Sequence, residues 1–516
     1  MKTICIQVFI LLIALRVTAQ PAFLDNAFGD GGKVITAIGN NDRGYAVALQ
    51  PDGKIITAGT SVIGSFRINI ILARYHADGT LDNSFGNGGK VISQFGDMSV
   101  ARAIALQSDG KILVAGQVED FFGMVRYNQN GSLDTAFGNR GIAAAPFGST
   151  IHEANAIAIQ PDGKIVLAGV APSSISGAFA AARFLQNGTL DPSFGNGGKR
   201  TISFGGGQDI CNALMLQPDG KIILSGFSTI QANADFAAVR LDTNGNLDLS
   251  FNQTGTRRTA VGPMMDYASA AILLESGKIL QFGYTFIEVG GTFRSGLAAV
   301  RLNGDGTIDS TFGDNGKKFL SGFLTGQDAY VYSALQEPNG KILLGGSFTG
   351  NVGLDMFVMR IDSNGVLDNS FGNNGIITAD FSASEFGYGL ARQPDGKILQ
   401  VGNNSTRVIT IRYNPQLLST PRTPEKPVRF SLLQNYPNPF NPTTVIGYEL
   451  GAASEVKLEL FDVLGRKVAA LVNARQNAGV HSVNVNAAQY GLTTGTYFYR
   501  LQAGGYSETK KMMLVK

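Results

Sequence analysis

The chain has 516 residues, with 42 Lys and Arg against 39 Asp and Glu, 66 glycines, no tryptophan and only 16% charged residues. So small a charge surplus argues against a protein that grips nucleic acid through its phosphates. The glycine content suits many tight turns between short strands, and the length admits one large repetitive domain or several smaller ones.

Residues 1–19 have a short basic start, an apolar run from Ile4 to Leu15 and Val17-Thr18-Ala19 before Gln20, the pattern of a cleavable signal peptide. The run is too short to span a bilayer. Losing it removes Lys2, Arg16 and Cys5, which leaves 40 basic residues against 39 acidic and a net charge of +1. Cys211 is then the only thiol, so no intrachain disulfide is expected.

From residue 20 the chain repeats itself. A hairpin unit reads QPDGKI at 50, QSDGKI at 107, QPDGKI at 160 and 217, LESGKI at 274, EPNGKI at 337 and QPDGKI at 393. Between the hairpins runs a second unit: LDNAFGDGG at 24, then variants at 81, 133, 190, 247, 308 and 367, spaced 52 to 61 residues apart. That period fits one four-stranded propeller blade. In the first copy, alternation and turn signals predict strands over 44–50 (a), 54–61 (b), 68–76 (c) and 90–94 (d). Alternate small residues such as Ala46 and Ala48 place strand a nearest the axis. The fifth copy departs most, with Asn252 in place of a glycine and a shortened hairpin at Glu275-Ser276-Gly277.

An arginine on strand c precedes the LD aspartate by eight residues six times: Arg74 and Asp82, Arg126 and Asp134, Arg183 and Asp191, Arg240 and Asp248, Arg301 and Asp309, Arg360 and Asp368. Asp25 begins the series without an arginine and Arg412 ends it without an aspartate. A ring closed by the strand near 33–38 makes them the seventh pair. The expectation is an all-β, seven-bladed β-propeller over 20–414, closed by its N-terminal strand. Taken as exposed, each pair would add about 0–1 kcal/mol.

Residues 415–428, rich in proline, read as an extended linker. Residues 429–516 alternate in short strands such as VKLELF and GTYFYRL, which suggests a small Ig-like β-sandwich.

The PDGKI hairpin, the strand c arginine and the LDxxFGxxG unit resemble the delta-60 repeat family, which implies a β-propeller of unassigned activity. The tail is similar to the C-terminal sorting domain of type IX secretion substrates, through LLQNYPNPFNPTT at 432–444, LFDVLGRKV at 460–468, AGVHSV at 478–483, GTYFYRL at 495–501 and KKMMLVK at 510–516. That resemblance implies type IX secretion machinery as a partner of 429–516 and a secreted or outer-surface protein of a Gram-negative bacterium.

Common catalytic signatures are missing: there is no GxSxG, no phosphate loop and no complete HExxH. The mature chain's histidines, His76, His152 and His481, are scattered, so no metal site is expected. LDTNGNLD at 241–248 and LNGDGTID at 302–309 faintly suggest calcium loops, but the repeated Asx turn is the preferred reading.

In an antiparallel blade the a–b and c–d turns share one face, and the b–c and d–a loops share the other. The first face carries the uniform motifs; the second varies between copies and is where recognition belongs. There the candidate ligand-binding residues at the channel mouth are Asp42, His152, Asp209, Asp266, Asp328 and Glu385, with Asp97 a little earlier. They read either as an acidic ring attracting a cation or basic ligand group, or as caps on strand a, the reading preferred for repeated positions. Phe121, Phe122 and Phe293 are candidate loop contacts, with packing beneath the loops as the alternative.

The function these features point to is extracellular binding of a glycan or protein, with no catalysis, no cofactor, no nucleic acid and no transmembrane segment in the mature chain. The alternatives are a hydrolase or lyase acting on an extracellular polymer, and a structural or adhesion component.

Overall fold

The computed structural model describes residues 23–64, 67–148, 152–172, 177–289, 292–320, 328–350, 353–381, 383–415, 430–435, 438–477 and 479–515. The signal segment and almost all of the linker lie outside them. The chain divides into two units, Met1–Leu417 and Leu418–Lys516.

The first unit is built from antiparallel strands in groups of four. After β1 (Lys33–Thr36) come β2 (Asn41–Leu49), β3 (Ile55–Ile63), β4 (Arg67–Tyr75) and β5 (Lys90–Ser93), one sheet in that order. The next comprises β6 (Val100–Leu106), β7 (Ile112–Val118), β8 (Phe121–Tyr127) and β9 (Ile142–Ala145). A third has β10 (Glu153–Ile159), β11 (Ile165–Ala171), β12 (Ala178–Phe184) and β13 (Lys199–Ile202). A fourth has β14 (Asp209–Leu216), β15 (Ile222–Ile230), β16 (Asn233–Leu241) and β17 (Thr256–Thr259). The fifth contains β18 (Asp266–Leu273), β19 (Ile279–Val289), β20 (Thr292–Leu302) and β21 (Lys317–Phe319). The sixth contains β22 (Ala329–Gln336), β23 (Ile342–Thr349), β24 (Leu354–Ile361) and β25 (Ile376–Ala379). In the seventh, β26 (Glu385–Arg392), β27 (Ile398–Asn404) and β28 (Arg407–Tyr413) are completed by β1, which pairs with β28 from Lys33 opposite Ile411 to Thr36 opposite Val408.

The first strands neighbour one another in the order β2, β6, β10, β14, β18, β22, β26, and β26 lies against β2 again. The core is divided accordingly, because a twisted sheet buries each face against the next sheet. One cluster joins Leu113 and Met124 to Leu167 and Phe184, another joins Val166 and Phe179 to Leu224 and Val239, and Phe28, Ile55 and Tyr75 meet Leu399 where the first and last repeats come together.

The repeated motifs are the joints. In the hairpin unit Asp52 accepts the amide of Lys54 at 3.1 Å and Gly53 takes the positive φ that closes the turn. The lysine that follows reaches the aspartate of the second unit. In each of the seven sheets that aspartate holds the strand c arginine through Nε at 2.5 to 2.9 Å. It also holds the hairpin lysine at 2.8 to 3.6 Å. Asp25 is the aspartate for Arg412 and Lys397. These pairs are not surface pairs: Arg74, Arg126, Arg183, Arg240, Arg301 and Arg412 are at most 8% exposed. Each guanidinium lies over the phenylalanine of its own motif, as Arg183 does over Phe194 at 4.7 Å. The same arginines tie sheet to sheet by donating to a turn carbonyl of the following one, Arg183 to Thr243 at 2.5 Å and Arg301 to Ser363 at 2.7 Å. Arg412 donates to Ala77, in the first sheet. The divergent fifth copy keeps the geometry, because Asn252 adopts φ +50 and Gly277 φ +77.

The second unit contains β29 (Ser431–Leu432), β30 (Thr443–Leu450), β31 (Ser454–Phe461), β32 (Lys467–Gln476), β33 (Gly479–Asn486), β34 (Gly495–Ala503) and β35 (Tyr506–Leu514). They form two antiparallel sheets, β29-β30-β33 and β32-β31-β34-β35. One core joins Tyr448 and Val485 of the first to Leu458, Tyr499 and Met512 of the second. Buried Asn435 donates its amide to the Tyr499 hydroxyl at 2.7 Å and its side chain to Thr444 at 2.9 Å, which gives the asparagine of the tail's opening motif a packing role.

Candidate functional site

Every inner strand breaks its pairing at one residue. The register of β2 on β3 shifts between Gly44 and Ala46, and the same shift occurs in the other six sheets. The seven bulged residues are Tyr45, Arg102, Asn155, Asn212, Ser269, Tyr332 and Tyr388, all half-buried. A bulge re-aims its side chain and opens the ladder, and bulges concentrate beside functional sites for that reason. Facing each bulge is a glycine of the second strand. At Gly226 an added Cβ would lie 1.9 Å from the Ile210 carbonyl, and at Gly402 it would lie 1.6 Å from that of Phe386.

Each bulged side chain contacts the next inner strand, so the seven positions form a belt. Tyr332 meets Tyr388 and Tyr388 meets Tyr45, each with ring centroids 5.0 Å apart. Arg102 lies over the Tyr45 ring at 4.5 Å and pairs with Glu153 of β10 at 2.6 Å. Asn155 donates to the Cys211 carbonyl and Asn212 to that of Ala268, both at 2.9 Å, and Ser269 donates to that of Val331. The belt is chemically lopsided. One arc is amide and hydroxyl, and the other is aromatic and extends through Tyr330, Tyr284, Tyr267 and Phe227 at spacings of 4.8 to 6.4 Å. Burial and neighbouring phenols push Tyr284 up to about 12, and burial with Tyr45 does the same for Tyr388.

The acids anticipated at the mouth stand at the start of the same strands, with their carboxylates turned inward. Asp42 accepts the amides of Ile38 and Gly39 at 2.8 Å, Asp209 that of Phe204 at 2.9 Å, and Asp266 that of Val261 at 2.6 Å. All three are 0% exposed, so they shape the d–a turns and present no open carboxylate to a ligand. His152 is buried as well, and burial lowers its pKa. Asp328 is out of step: Ala329 occupies the aligned position, and Asp328 accepts the Ser295 amide at 2.8 Å and pairs with Arg294 at 3.4 Å. The position in the second sheet belongs to buried Ser99 rather than to Asp97. Glu385 is fully buried, and neither oxygen has a hydrogen-bond partner.

The candidate aromatics separate. Phe121 and Phe122 open β8 and are not loop residues; Phe122 is 0% exposed in the core, because alternation along the strand turns it inward. Phe293 lies in β20 with 59% of its surface exposed. The suspected calcium loops are Asx turns, since Asp242 accepts the amides of Asn244 and Asn246, and Asp305 that of Thr307. Cys211 is buried and its thiol is pushed up to about 12.

Two family models match the sequence. The one described as "Domain of unknown function (DUF5122) beta-propeller" matches residues 50–85, 107–137, 160–194, 217–251, 287–312 and 337–371. The "Secretion system C-terminal sorting domain" matches 434–516. No curated protein matches the sequence. Among solved structures the chain is similar to the polysaccharide lyase Uly1, at 12% identity and a TM-score of 0.42 over 77% of this chain and 98% of that one. It is also similar to Sqt1 from Chaetomium thermophilum, at 14% identity and 0.40 over 73% and 96%. A third similar structure is a Trichoderma reesei carbohydrate-active enzyme of family AA12, at 12% identity and 0.34 over 76% and 96%.

Proposed function

We propose that this chain, which carries DUF5122 β-propeller repeats and a secretion sorting domain, is a closed seven-bladed propeller that binds a saccharide at its belt of bulged residues. The sorting domain directs the protein through the type IX secretion machinery, so it acts secreted or on the outer cell surface. The return of β26 to β2 and the pairing of β1 with β28 support the closed ring, and the two sheets of the tail support an Ig-like sandwich.

The observation that carries the reading is the composition of the belt. Seven geometrically equivalent positions hold three tyrosines, two asparagines, a serine and an arginine already paired with Glu153. A pyranose offers an apolar C–H face, which stacks on a tyrosine ring, and hydroxyls, which amides and phenols can bond. With Arg102 matched by Glu153, the belt favours a polyhydroxylated ligand over a bare ion. Binding without turnover is supported by the same residues. A phenol raised to about 12, as at Tyr388, supplies no phenolate base at neutral pH, and both Glu153 and Arg102 are engaged with each other.

The test is a mono- and oligosaccharide panel read by calorimetry on the full chain, with mass spectrometry for cleavage. Replacing Tyr332 and Tyr388 by alanine is expected to weaken the bound sugar by at least about tenfold, the size of one good aromatic contact. Binding that persists unchanged in the double variant, or any cleavage product, would overturn this reading.

A further inference from the structure

We propose that Asp355, Asp380 and Glu385 form a binding site for a hard divalent cation, calcium by its donor chemistry. Asp355 lies on β24, Asp380 follows β25 and Glu385 opens β26, so the group straddles two neighbouring sheets. One carboxylate oxygen from each lies within 4.8 Å of the others, and no other such group of three occurs among the described residues. Calcium holds oxygen at roughly 2.3–2.6 Å, and oxygens within 4.8 Å of one another leave a centre at most roughly 2.8 Å from each, so a small inward movement of the side chains brings all three onto one ion. The donors are oxygen only, which disfavours zinc. An irregular set spread over two sheets suits calcium's flexible coordination better than the strict octahedron of magnesium.

Glu385 is the independent indication that something is bound. Its side chain is 0% exposed and both oxygens lack a hydrogen-bond partner, whereas Asp42 and Asp266 at the aligned positions satisfy both of theirs with loop amides and Asp209 satisfies one. A carboxylate buried in that state is costly unless a cation meets it. The amides of Phe381 and Ala383 lie near it without completing a hydrogen bond, and burial, then Asp355 and Asp380, push it up to about 7. Burial and Asp380 push Asp355 up to about 6.

The chain also contains its own control. Asp235 and Asp355 are equivalent, each five residues before the strand c arginine, Arg240 or Arg360. Asp235 is neutralised by Arg258 at 3.0 Å. Arg258 pairs across the ladder with Ala237, and the residue paired with the matching Phe357 is Thr378. In one sheet the protein supplies its own cation. In the other it replaces that arginine with threonine and brings two further carboxylates alongside.

The experiment uses the full chain stripped with chelator, titrated with calcium chloride and separately with magnesium chloride by calorimetry, and melted with and without each ion. Calcium is expected to bind one to one, more tightly than magnesium, and to raise the melting temperature. Glu385→Gln and Asp355→Asn keep side-chain volume while removing charge, and each is expected to weaken calcium by at least about tenfold, no less than the loss of an outer-shell partner costs. Both variants should melt no lower than the cation-free wild type; if one fails to fold, the other decides. No calcium response in the wild type, or undiminished affinity in either folded variant, would overturn the proposal.

Discussion

Arg412→Ala tests whether the two ends of the repeat array are locked together. Arg412 is 4% exposed, donates through Nε to Asp25 at 2.8 Å, lies over Phe28 at 4.6 Å and donates to the Ala77 carbonyl. Those contacts join residues hundreds of positions apart, yet they match the contacts Arg183 makes with Asp191, Phe194 and Thr243 inside the array. Breaking a buried pair from one side costs about 3–5 kcal/mol when the other charge is stranded. Lys397 remains 3.2 Å from Asp25, as Lys164 remains 3.4 Å from Asp191, so the lower end, about 3 kcal/mol, is expected for both. Urea unfolding of the full chain and of Arg183→Ala at neutral pH, followed by far-ultraviolet dichroism, provides the comparison. If Arg183→Ala lost about 3 kcal/mol and Arg412→Ala less than about 1 kcal/mol, the seventh pair would not be closing a ring.

Gly226→Ala forces a Cβ to within 1.9 Å of the Ile210 carbonyl, so the strand must shift; a loss of about 1–3 kcal/mol in urea and a displaced Asn212 in a crystal structure are expected. Stability in acid should depend on the aspartate joints. Burial alone would raise Asp191, but the Ser193 hydroxyl and amide, Arg183 and Lys164 together hold it at about 2, below the ordinary 3.8. A carboxylate held low contributes stability above its unfolded value and loses that contribution as pH falls from about 4 to about 2. Asp191→Asn should therefore show a shallower loss of unfolding free energy than the wild type over that window, and equal slopes would refute the assignment.

The joints were legible because they are repeated. Each QPDGKI turn, strand c arginine and LD aspartate recurs at nearly constant spacing, and even the orphans Asp25 and Arg412 could be paired by position. Burial was not legible. The pairs look like surface salt bridges until the following sheet covers them, as Thr243 and Phe194 show for Arg183. Acids near the start of strand a stand out in the sequence, but their register does not: strand pairing puts Ala329, not Asp328, in line with Asp266. Phe122 was misplaced for a related reason, because the b–c connection of its sheet is only Glu119 and Asp120, both at positive φ, and the strand begins at once. The bulges leave no local signature, since a register shift depends on the partner strand.

The belt nevertheless has a sequence trace once its register is known. Every bulged residue stands five positions before the start of a hairpin unit, as Tyr45 stands before Gln50, and every facing glycine stands nine after it, as Gly59 does. The residue following the bulge is small in all seven sheets: Ala46, Ala103, Ala156, Ala213, Ala270, Ser333 and Gly389. Backbone geometry thus repeats at the bulge while its side chain does not. If the fold required a particular side chain there, seven equivalent bulges would have converged on one type, as the joints converged on arginine, lysine and aspartate. Tyrosine, arginine, asparagine and serine at one geometry mean that packing tolerates any of them. Packing therefore does not set the choice at the bulge, which agrees with the saccharide site proposed on the inner strands.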